Sequence, residues 1–194
     1  MCEAKKEYLK SPLNYTGNKY RILSQISKFF PNYVDTFVDL FCGGATVGIN
    51  VDAANVIFID KDERVISLLK FLAKSNFDKL LKQIIETIHS YGLSCSYESK
   101  YSEFFKAATP KNKNNGLKDF NKKGFYKLRE DYNKIENKDS DGANLLLYIL
   151  LVYGFNNDLR FNSEGHYNLP CGKTDLNKNN VSKIKAFIEK SSTQ

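Results

Sequence analysis

Apolar and polar positions in the first third of the chain follow the pattern of two strands joined by a glycine turn. Residues 37–41 form a short apolar run, which predicts a strand buried on both faces. Residues 56–59 are β-branched or aromatic and predict the next parallel strand. Between them, Gly43 and Gly44 predict a turn, and residues 46–50 are predicted to open a helix. The pattern therefore predicts a βαβ unit of an α/β fold.

Helical spacings of apolar residues dominate the rest of the chain. In the strongest of these segments the apolar residues cover most of the circumference, which predicts a buried helix. Ser140 is its candidate N-cap, and Gly154 marks its end. His89, at the end of another segment, is expected to be a surface or capping residue. The predicted helices cover residues 20–30, 65–72, 80–88, 141–155 and 177–190.

Charge is concentrated between residues 100 and 140. This segment holds 11 Lys or Arg and 6 Asp or Glu, a local charge of +5, with aromatic residues alternating among the bases. Residues 110–116 are rich in Asn, Lys and Gly and predict a flexible loop. Two interpretations stay open: a basic surface that meets DNA phosphates, or an amphipathic helical insertion with a solvated face.

Composition favours a single domain, with or without a small subdomain, and a polyanionic partner. The chain has 194 residues, a net charge of +7 and a pI near 9.1. A basic balance of this size favours nucleic acid first. The alternative is an ordinary lysine-rich surface, because a charged fraction of 26% is common in globular proteins.

The cysteines and the N-terminus favour a cytoplasmic protein without membrane contact. No C-x-x-C pair is present, and two histidines are too few to complete a zinc site, so no metal is expected. Residues 1–10 are polar and unlike a signal peptide, and the apolar run 145–153 is too short to span a bilayer. The four scattered cysteines, which fit a reducing compartment, are Cys2, Cys42, Cys95 and Cys171.

The glycine turn and the acid that follows it are candidates for cofactor binding. A turn without side chains lets the backbone approach a ligand closely. Asp60 ends the second predicted strand, 17 residues after Gly43, where a carboxylate could take both hydroxyls of a ribose. The order Gly43, Gly44, Ala45 is not the dinucleotide fingerprint, which disfavours a nicotinamide cofactor. The alternative is a plain βαβ unit whose glycines only make a tight turn.

Two further segments carry side chains suited to binding. Tyr15, Gly17 and Lys19 place a ring, a flexible backbone and a cation where they can stack an adenine and pair a carboxylate, or else form a turn that leads into a helix. Residues 159–162 and 166–169 flank Ser-Glu-Gly and predict a hairpin. Its Arg and Asn side chains suit the reading of base edges; the alternative is a polar surface hairpin stabilised by Asn turns.

Three motifs together resemble one enzyme family. N-Y-T-G-N-K at 14–19, D-L-F-C-G-G-A at 39–45 and the acid at 60 resemble the N-terminal half of Dam-type DNA adenine-N6 methyltransferases. Residues 160–172 resemble the target-recognition hairpin of the same family, R-[FY]-N-x-x-G-x-[FY]-N-x-P-x-G. Ala45 departs from the pattern, because the family usually has glycine there and alanine restricts the backbone.

The resemblance implies roles for individual residues and S-adenosylmethionine as cofactor. Tyr15 and Lys19 are expected to lie against the cofactor, Phe41 and Gly43 to line its pocket, and Asp60 to hold its ribose. In the hairpin, Arg160 is expected to contact a guanine and Asn162 to bind DNA, with Pro170 and Gly172 closing the hairpin. GATC is a target consistent with this resemblance.

The family's catalytic motif is missing from the sequence. D-P-P-Y is expected downstream of the hairpin, yet no two prolines are adjacent in the 194 residues. In such enzymes the Asp and a proline carbonyl accept hydrogen bonds from the flipped adenine, so no catalytic residue is assigned here. We expect a truncated product, the first part of a split enzyme, or a portion of a longer protein, with D-P-P-Y supplied in the split case by a second chain.

The expected fold class is α/β: a partial Rossmann-like methyltransferase sheet with a helical DNA-recognition subdomain that carries a β-hairpin. The expected boundaries are a cofactor-binding part at 1–62, a recognition subdomain at 63–175 with its hairpin at 159–169, and a return to the catalytic domain at 176–194. The expected function is methylation of adenine N6 in double-stranded DNA, in the setting of restriction and modification. The alternatives are a non-catalytic DNA-binding protein or recognition subunit and, more remotely, a nicotinamide-dependent oxidoreductase fragment.

Overall fold

The computed structural model describes residues 7–13, 15, 17–107 and 113–193. Within these ranges the chain forms two strands, seven α-helices and five short 3-10 turns. The 3-10 turns are Tyr20–Ile22, Ser27–Phe29, Gly48–Asn50, Lys113–Asn115 and Phe155–Asn157. In chain order the other elements are α1 (Leu23–Ile26), β1 (Val34–Leu40), β2 (Ala53–Ile59), α2 (Glu63–Lys74), α3 (Phe77–Ser90), α4 (Tyr101–Ala107), α5 (Lys118–Lys134), α6 (Asp141–Tyr153) and α7 (Lys178–Ser191).

The two predicted strands exist and pair in parallel, from Val34 opposite Ala53 to Leu40 opposite Ile59. The prediction that the first is buried on both faces is wrong. Val38 is 47% exposed and Leu40 57% exposed, and Ile57 on β2 is 48% exposed. The sheet has only two strands in the described ranges, and its faces leave these apolar side chains in contact with solvent. The α/β class is confirmed at this coarse level only.

The helix predicted at residues 46–50 is a single 3-10 turn, Gly48–Asn50. Its place is fixed by Asp39, whose carboxylate Oδ2 accepts the Gly48 N–H at 2.8 Å. Residues 41–52 must hold both the glycine loop and the crossover, which leaves space for one short turn only. The segment predicted as one helix at residues 20–30 is likewise a series of three short helical segments, and Phe29 in it is 86% exposed.

The remaining predicted helices are confirmed and form the core. α6 lies at its centre: nine of its residues are buried, and α2, α3 and α5 pack against it. Ser140 caps it, with its Oγ accepting the Ala143 N–H at 3.2 Å. At Gly154 the chain leaves the helix in an extended conformation. α7 begins with a capping box at Asn177 and packs against α2 and α3. The predicted boundaries at residues 62 and 175 stay predictions.

A buried carboxylate ties together segments that are far apart in sequence. Asp175 is 3% exposed, and its Oδ2 accepts the Ser94 hydroxyl at 2.9 Å and the Ser96 N–H and hydroxyl at 2.9 and 2.7 Å. Asn121 on α5 joins the same network through both ends of its amide. Burial raises the pKa of Asp175, although the serine hydrogen bonds oppose the shift.

Removing this acceptor should be costly. We expect Asp175→Ala to lower the free energy of unfolding by about 3 kcal/mol, because buried donors lose their partner. Asp175→Asn keeps an acceptor oxygen and should cost much less. Urea unfolding measures both variants. An Ala variant as stable as the Asn variant would contradict this account.

The same pair of variants also tests the pKa shift. Because the folded pKa of Asp175 is raised, the wild type should lose stability relative to Asp175→Asn as pH rises from below the usual Asp range through the raised value. Urea unfolding of the wild type and of Asp175→Asn at a series of pH values measures this trend, and a stability difference that stays constant with pH would contradict the raised pKa.

Candidate functional site

The loop after β1 turns sharply at three residues with positive φ angles. These are Phe41 (66°), Gly43 (48°) and Ala45 (64°). Such angles are rare for residues with a side chain and occur mostly at functional or strained positions. At Gly43 an added Cβ would lie 2.7 Å from Tyr15 Cδ1, so glycine is needed there both for its angle and for space. Phe41 is 78% exposed.

Asp60 closes this loop onto the end of β2. Its Oδ2 accepts the Gly43 N–H at 2.8 Å, and its Oδ1 accepts the Asp62 N–H at 3.0 Å. Gly43 and Asp60, both predicted to bind the cofactor, are therefore in direct contact. Each carboxylate oxygen has a second lone pair, so half-buried Asp60 can still accept hydrogen bonds from a ligand.

Tyr15 lies over the glycine loop in an acidic environment. Burial raises the pKa of Tyr15, and the carboxylates of Asp60, Asp62 and Asp158 raise it further. Three carboxylates thus lie close enough to Tyr15 to act on its hydroxyl. Tyr15 also lines a cavity of about 530 Å³ that extends to Lys10 and Lys183.

Lys19 is exposed, and its ammonium donates to the Gly17 carbonyl at 2.8 Å. The turn interpretation of this segment is therefore supported, with Gly17 at a φ of 82°. The contact of Lys19 with a cofactor stays a prediction. Asn14 and Thr16, which belong to the same motif, lie outside the described residues.

Side chains that the sequence did not single out hold the N-terminal segment over the loop. The Ser11 hydroxyl donates to the Gly44 carbonyl and accepts the Leu13 N–H at 3.0 Å. Asn50 bonds both backbone groups of Leu9, accepting its N–H at 2.7 Å and donating to its carbonyl at 2.9 Å. No local sequence signal connects residues 9 and 50, because this contact is purely tertiary.

The cysteine in the loop is not a nucleophile. Burial, with Asp39 and Asp60 nearby, raises the pKa of the Cys42 thiol to about 12. It therefore stays a neutral thiol at physiological pH. Cys42, Cys95 and Cys171 are all free and buried, while Cys2 lies outside the described residues. In the described part of the chain, no three His, Cys, Asp or Glu side chains gather as metal ligands do.

The predicted hairpin is present. Phe161 and Tyr167 form an antiparallel bridge, and the Asn162 N–H donates to the His166 carbonyl at 2.9 Å. Gly165 turns the chain at a φ of 78°. The pairing is short and the tip is exposed, so the hairpin needs support from its neighbours.

The basic helix α5 gives that support. The Asn133 side chain accepts the Tyr167 N–H at 2.9 Å and donates to the Tyr167 carbonyl at 3.1 Å, as a neighbouring strand would. Arg129 donates through Nη1 to the Leu169 carbonyl at 3.1 Å. The hairpin and α5 are therefore held as one surface.

The outer face of the hairpin carries the predicted DNA contacts. Exposed Arg160 donates from Nε to Asn168 Oδ1 at 2.9 Å, and its terminal nitrogens have no other partner among the described residues. Asn162 Oδ1 instead accepts the N–H groups of Glu164 and His166, at 3.1 and 2.9 Å. Asn162 thus stabilises the turn, and the unpredicted Asn168 orients the arginine.

The aromatic residues of the basic segment are divided between core and surface. Phe125 and Tyr132 are fully buried on α5, while Tyr101 is 45% exposed. Lysines on α5 remain exposed, at positions 122, 123, 127 and 134. Of the loop predicted at 110–116, residues 110–112 lie outside the described ranges, and Lys113–Asn115 forms a 3-10 turn.

Comparison with known proteins identifies relatives over nearly the whole chain. The family model of the D12 class N6 adenine-specific DNA methyltransferases matches residues 15–193. The type II methyltransferase M.FokI of Planomicrobium okeanokoites is 37% identical over 86% of this chain and 21% of its own length. The modification methylase StsI of Streptococcus sanguinis is 34% identical over 97% of this chain and 24% of its own.

A shorter relative shows the same pattern of partial coverage. The DNA adenine methylase of Escherichia coli K12 is 25% identical over 83% of this chain and 47% of its own length. The chain thus spans under a quarter of M.FokI and StsI and about half of this methylase. Separately, within the described ranges no helix has both the length and the apolar character needed to cross a membrane.

The unusual angle at Ala45 generates a stability prediction. Ala45→Gly should relieve about 1–2 kcal/mol of left-handed strain. It should also lose about 0.8 kcal/mol of methyl burial and about 0.5–1 kcal/mol through backbone freedom. We therefore expect almost no net change in the free energy of unfolding.

The matched control is Ala143→Gly, which is equally buried but helical. It gains nothing from strain relief, so it should cost about 1.5 kcal/mol. Urea unfolding compares the two. Equal losses at both positions would show that Ala45 stores no strain.

Proposed function

The chain belongs to the D12 class of N6 adenine-specific DNA methyltransferases, and we propose that it forms the part of such an enzyme that binds S-adenosylmethionine and reads double-stranded DNA. One observation carries the proposal: Tyr15 and Asp60 both contact Gly43, and the carboxylates near Tyr15 make this site acidic. The relatives named modification methylases point to restriction and modification as the setting.

The charge of the site favours S-adenosylmethionine over a nicotinamide cofactor. S-adenosylmethionine carries a sulfonium and an ammonium group, both of which are attracted by the carboxylates around Tyr15. A nicotinamide dinucleotide carries a pyrophosphate, which the same carboxylates repel. The free lone pairs of Asp60 suit the two ribose hydroxyls, and the exposed ring of Phe41, in the loop itself, supplies an apolar surface.

The hairpin and α5 together form the DNA-reading surface. The terminal nitrogens of Arg160 have the fork geometry that bonds guanine O6 and N7, and Asn168 fixes the plane of the fork in advance. The exposed lysines of α5 supply phosphate contacts, which position the duplex without reading its sequence. Lys19 stays a proposed cofactor contact and Asn162 a proposed DNA contact, and both side chains also hydrogen-bond within their own loops.

Methyl transfer requires groups that this sequence lacks. The amino group of adenine is a poor nucleophile, and acceptors must orient it toward the sulfonium. We assign that task to a polypeptide segment carrying D-P-P-Y, either later in a longer protein or in a second chain. Such a segment would add further strands at the open edges of β1 and β2 and cover their exposed apolar side chains with helices.

A non-catalytic DNA-binding protein is the second candidate, and the exposed Arg160 beside the exposed lysines of α5 favours it. The two differ in one property: the lead proposal requires a cofactor site. Binding of S-adenosylmethionine therefore decides between them, and preference for NAD would favour the oxidoreductase alternative.

We expect the chain to bind S-adenosylmethionine in titration calorimetry and to bind NAD at least about tenfold more weakly. Asp60→Asn should weaken S-adenosylmethionine by about tenfold, because the ribose loses a charged acceptor. Asp35→Asn, an exposed change on β1, should have no effect. No binding by the folded wild type would overturn the proposal. Methyl transfer to DNA by this chain alone would overturn the assignment of amine orientation to D-P-P-Y.

Sequence reading is tested with a preferred duplex selected from a random pool. The comparison duplex has the guanine of the preferred site replaced by another base. Arg160→Ala should lower the ratio of the affinities for these two duplexes by about 10- to 100-fold. Lys123→Ala on α5 should weaken both duplexes equally, because phosphate contacts carry no sequence information. Fluorescence anisotropy measures the six affinities, those of the wild type and of each variant for both duplexes. Unchanged discrimination in Arg160→Ala would remove the hairpin from the reading surface.

A further inference from the structure

Arg64 joins the hairpin to the cofactor loop. Its guanidinium carbon lies 3.6 Å from the centre of the Phe161 ring, close enough for flat stacking. Its Nε donates to Asp62 Oδ1 at 3.0 Å, and the two side chains are only 33% and 27% exposed. Arg64 therefore makes two partly buried contacts at once, one with each of the two proposed ligand sites.

The contacts continue without a gap to the glycine turn. The Asp62 N–H donates to Asp60 Oδ1 at 3.0 Å, and Asp60 Oδ2 accepts the Gly43 N–H at 2.8 Å. Four direct contacts thus lead from the Phe161 ring to the Gly43 backbone. Asp60, the acid proposed to hold the ribose, is the member of this series that contacts Gly43.

At the other end, Phe161 lies next to the proposed reading residue. It follows Arg160 directly, and neighbouring residues of a strand point to opposite faces. Phe161 is partly buried, and the centre of its ring lies 5.8 Å from that of Tyr167 in an edge-to-face arrangement, while Arg160 is exposed. The Phe161 contacts therefore hold the backbone at the position next to Arg160.

We propose that Arg64 is a positioning residue that couples cofactor binding at Asp60 to DNA recognition by the hairpin. The inference rests on the proposed function. A cofactor that hydrogen-bonds Asp60 fixes the turn between Asp60 and Asp62. Through Asp62 it fixes the plane of the Arg64 guanidinium, and through that plane the position of the Phe161 ring. DNA then meets an ordered hairpin and binds more tightly, and by thermodynamic reciprocity DNA tightens cofactor binding by the same factor.

The contact pair requires arginine in particular. A planar guanidinium can stack on a ring while one of its nitrogens bonds a carboxylate. Lysine at this position would keep a positive charge near Asp62 but lose the flat stack. Arg64→Lys and Phe161→Leu therefore remove the same contact, the stack of guanidinium on ring, from its two sides. The first variant keeps the charge and the second keeps an apolar side chain.

The test measures the affinity of the full chain for its selected duplex with and without saturating S-adenosylmethionine. The ratio of the two affinities is the coupling factor, expected to be about five or more in the wild type. In Arg64→Lys and in Phe161→Leu we expect it to fall below about two, while the affinity for S-adenosylmethionine alone changes by less than about threefold.

Arg129→Lys is the matched control. Arg129 also supports the hairpin, through the Leu169 carbonyl, and also stacks on a ring, that of Tyr126. It makes no contact with the cofactor loop among the described residues, so this variant should keep the coupling factor. Circular dichroism melting confirms that each variant is folded before its affinities are compared.

Each outcome has one meaning. A wild-type coupling factor of one, or one that survives in both Arg64→Lys and Phe161→Leu, overturns the inference and leaves the proposed function standing. A coupling factor lost equally in Arg129→Lys shows general support of the hairpin and also overturns it. A folded wild type that binds no S-adenosylmethionine overturns the proposed function, and the inference with it.

Discussion

The carboxylate of Asp60 is the point on which the candidate site depends. Each of its oxygens accepts a backbone N–H, one from the glycine loop and one from the turn that opens α2. Hydrogen bonds to a charged acceptor contribute roughly 1.5–3 kcal/mol each. The Cys42 N–H also donates to the Ile59 carbonyl at 2.9 Å, so the strained loop at Phe41 and Ala45 is held to the end of β2 by this backbone bond and by the Asp60 carboxylate. One side chain therefore sets both the shape of the pocket and the start of the following helix.

The sequence anticipated those features that local signals determine. The helices α2, α3, α6 and α7 follow from apolar spacing and from caps such as Ser140 and Asn177, and the hairpin follows from its turn residues. The meeting of Gly43 with Asp60 follows from the geometry of parallel strands, whose carboxyl ends share one edge. Each of these needs only residues close in the chain or adjacent strands.

Other features could not be read from the sequence, because they depend on distant partners. Asn50 bonds Leu9, and Asn133 bonds Tyr167, across 41 and 34 positions. An asparagine in isolation predicts a turn or a cap equally well. Periodicity also cannot show what covers an apolar strand: the run at 37–41 has the composition of a buried strand, yet Val38 and Leu40 are exposed.

The hairpin is fixed at its base, which leaves its tip as the part that a contact can steer. Gly172 donates to the Tyr153 carbonyl at 2.7 Å, and a Cβ on it would lie 2.5 Å from the Gly154 carbonyl oxygen. The Phe155 N–H also donates to the Pro170 carbonyl at 2.9 Å. The backbones at the base are thus too close to shift. Any adjustment of the reading face must occur beyond them, where the Phe161 ring lies under the Arg64 guanidinium.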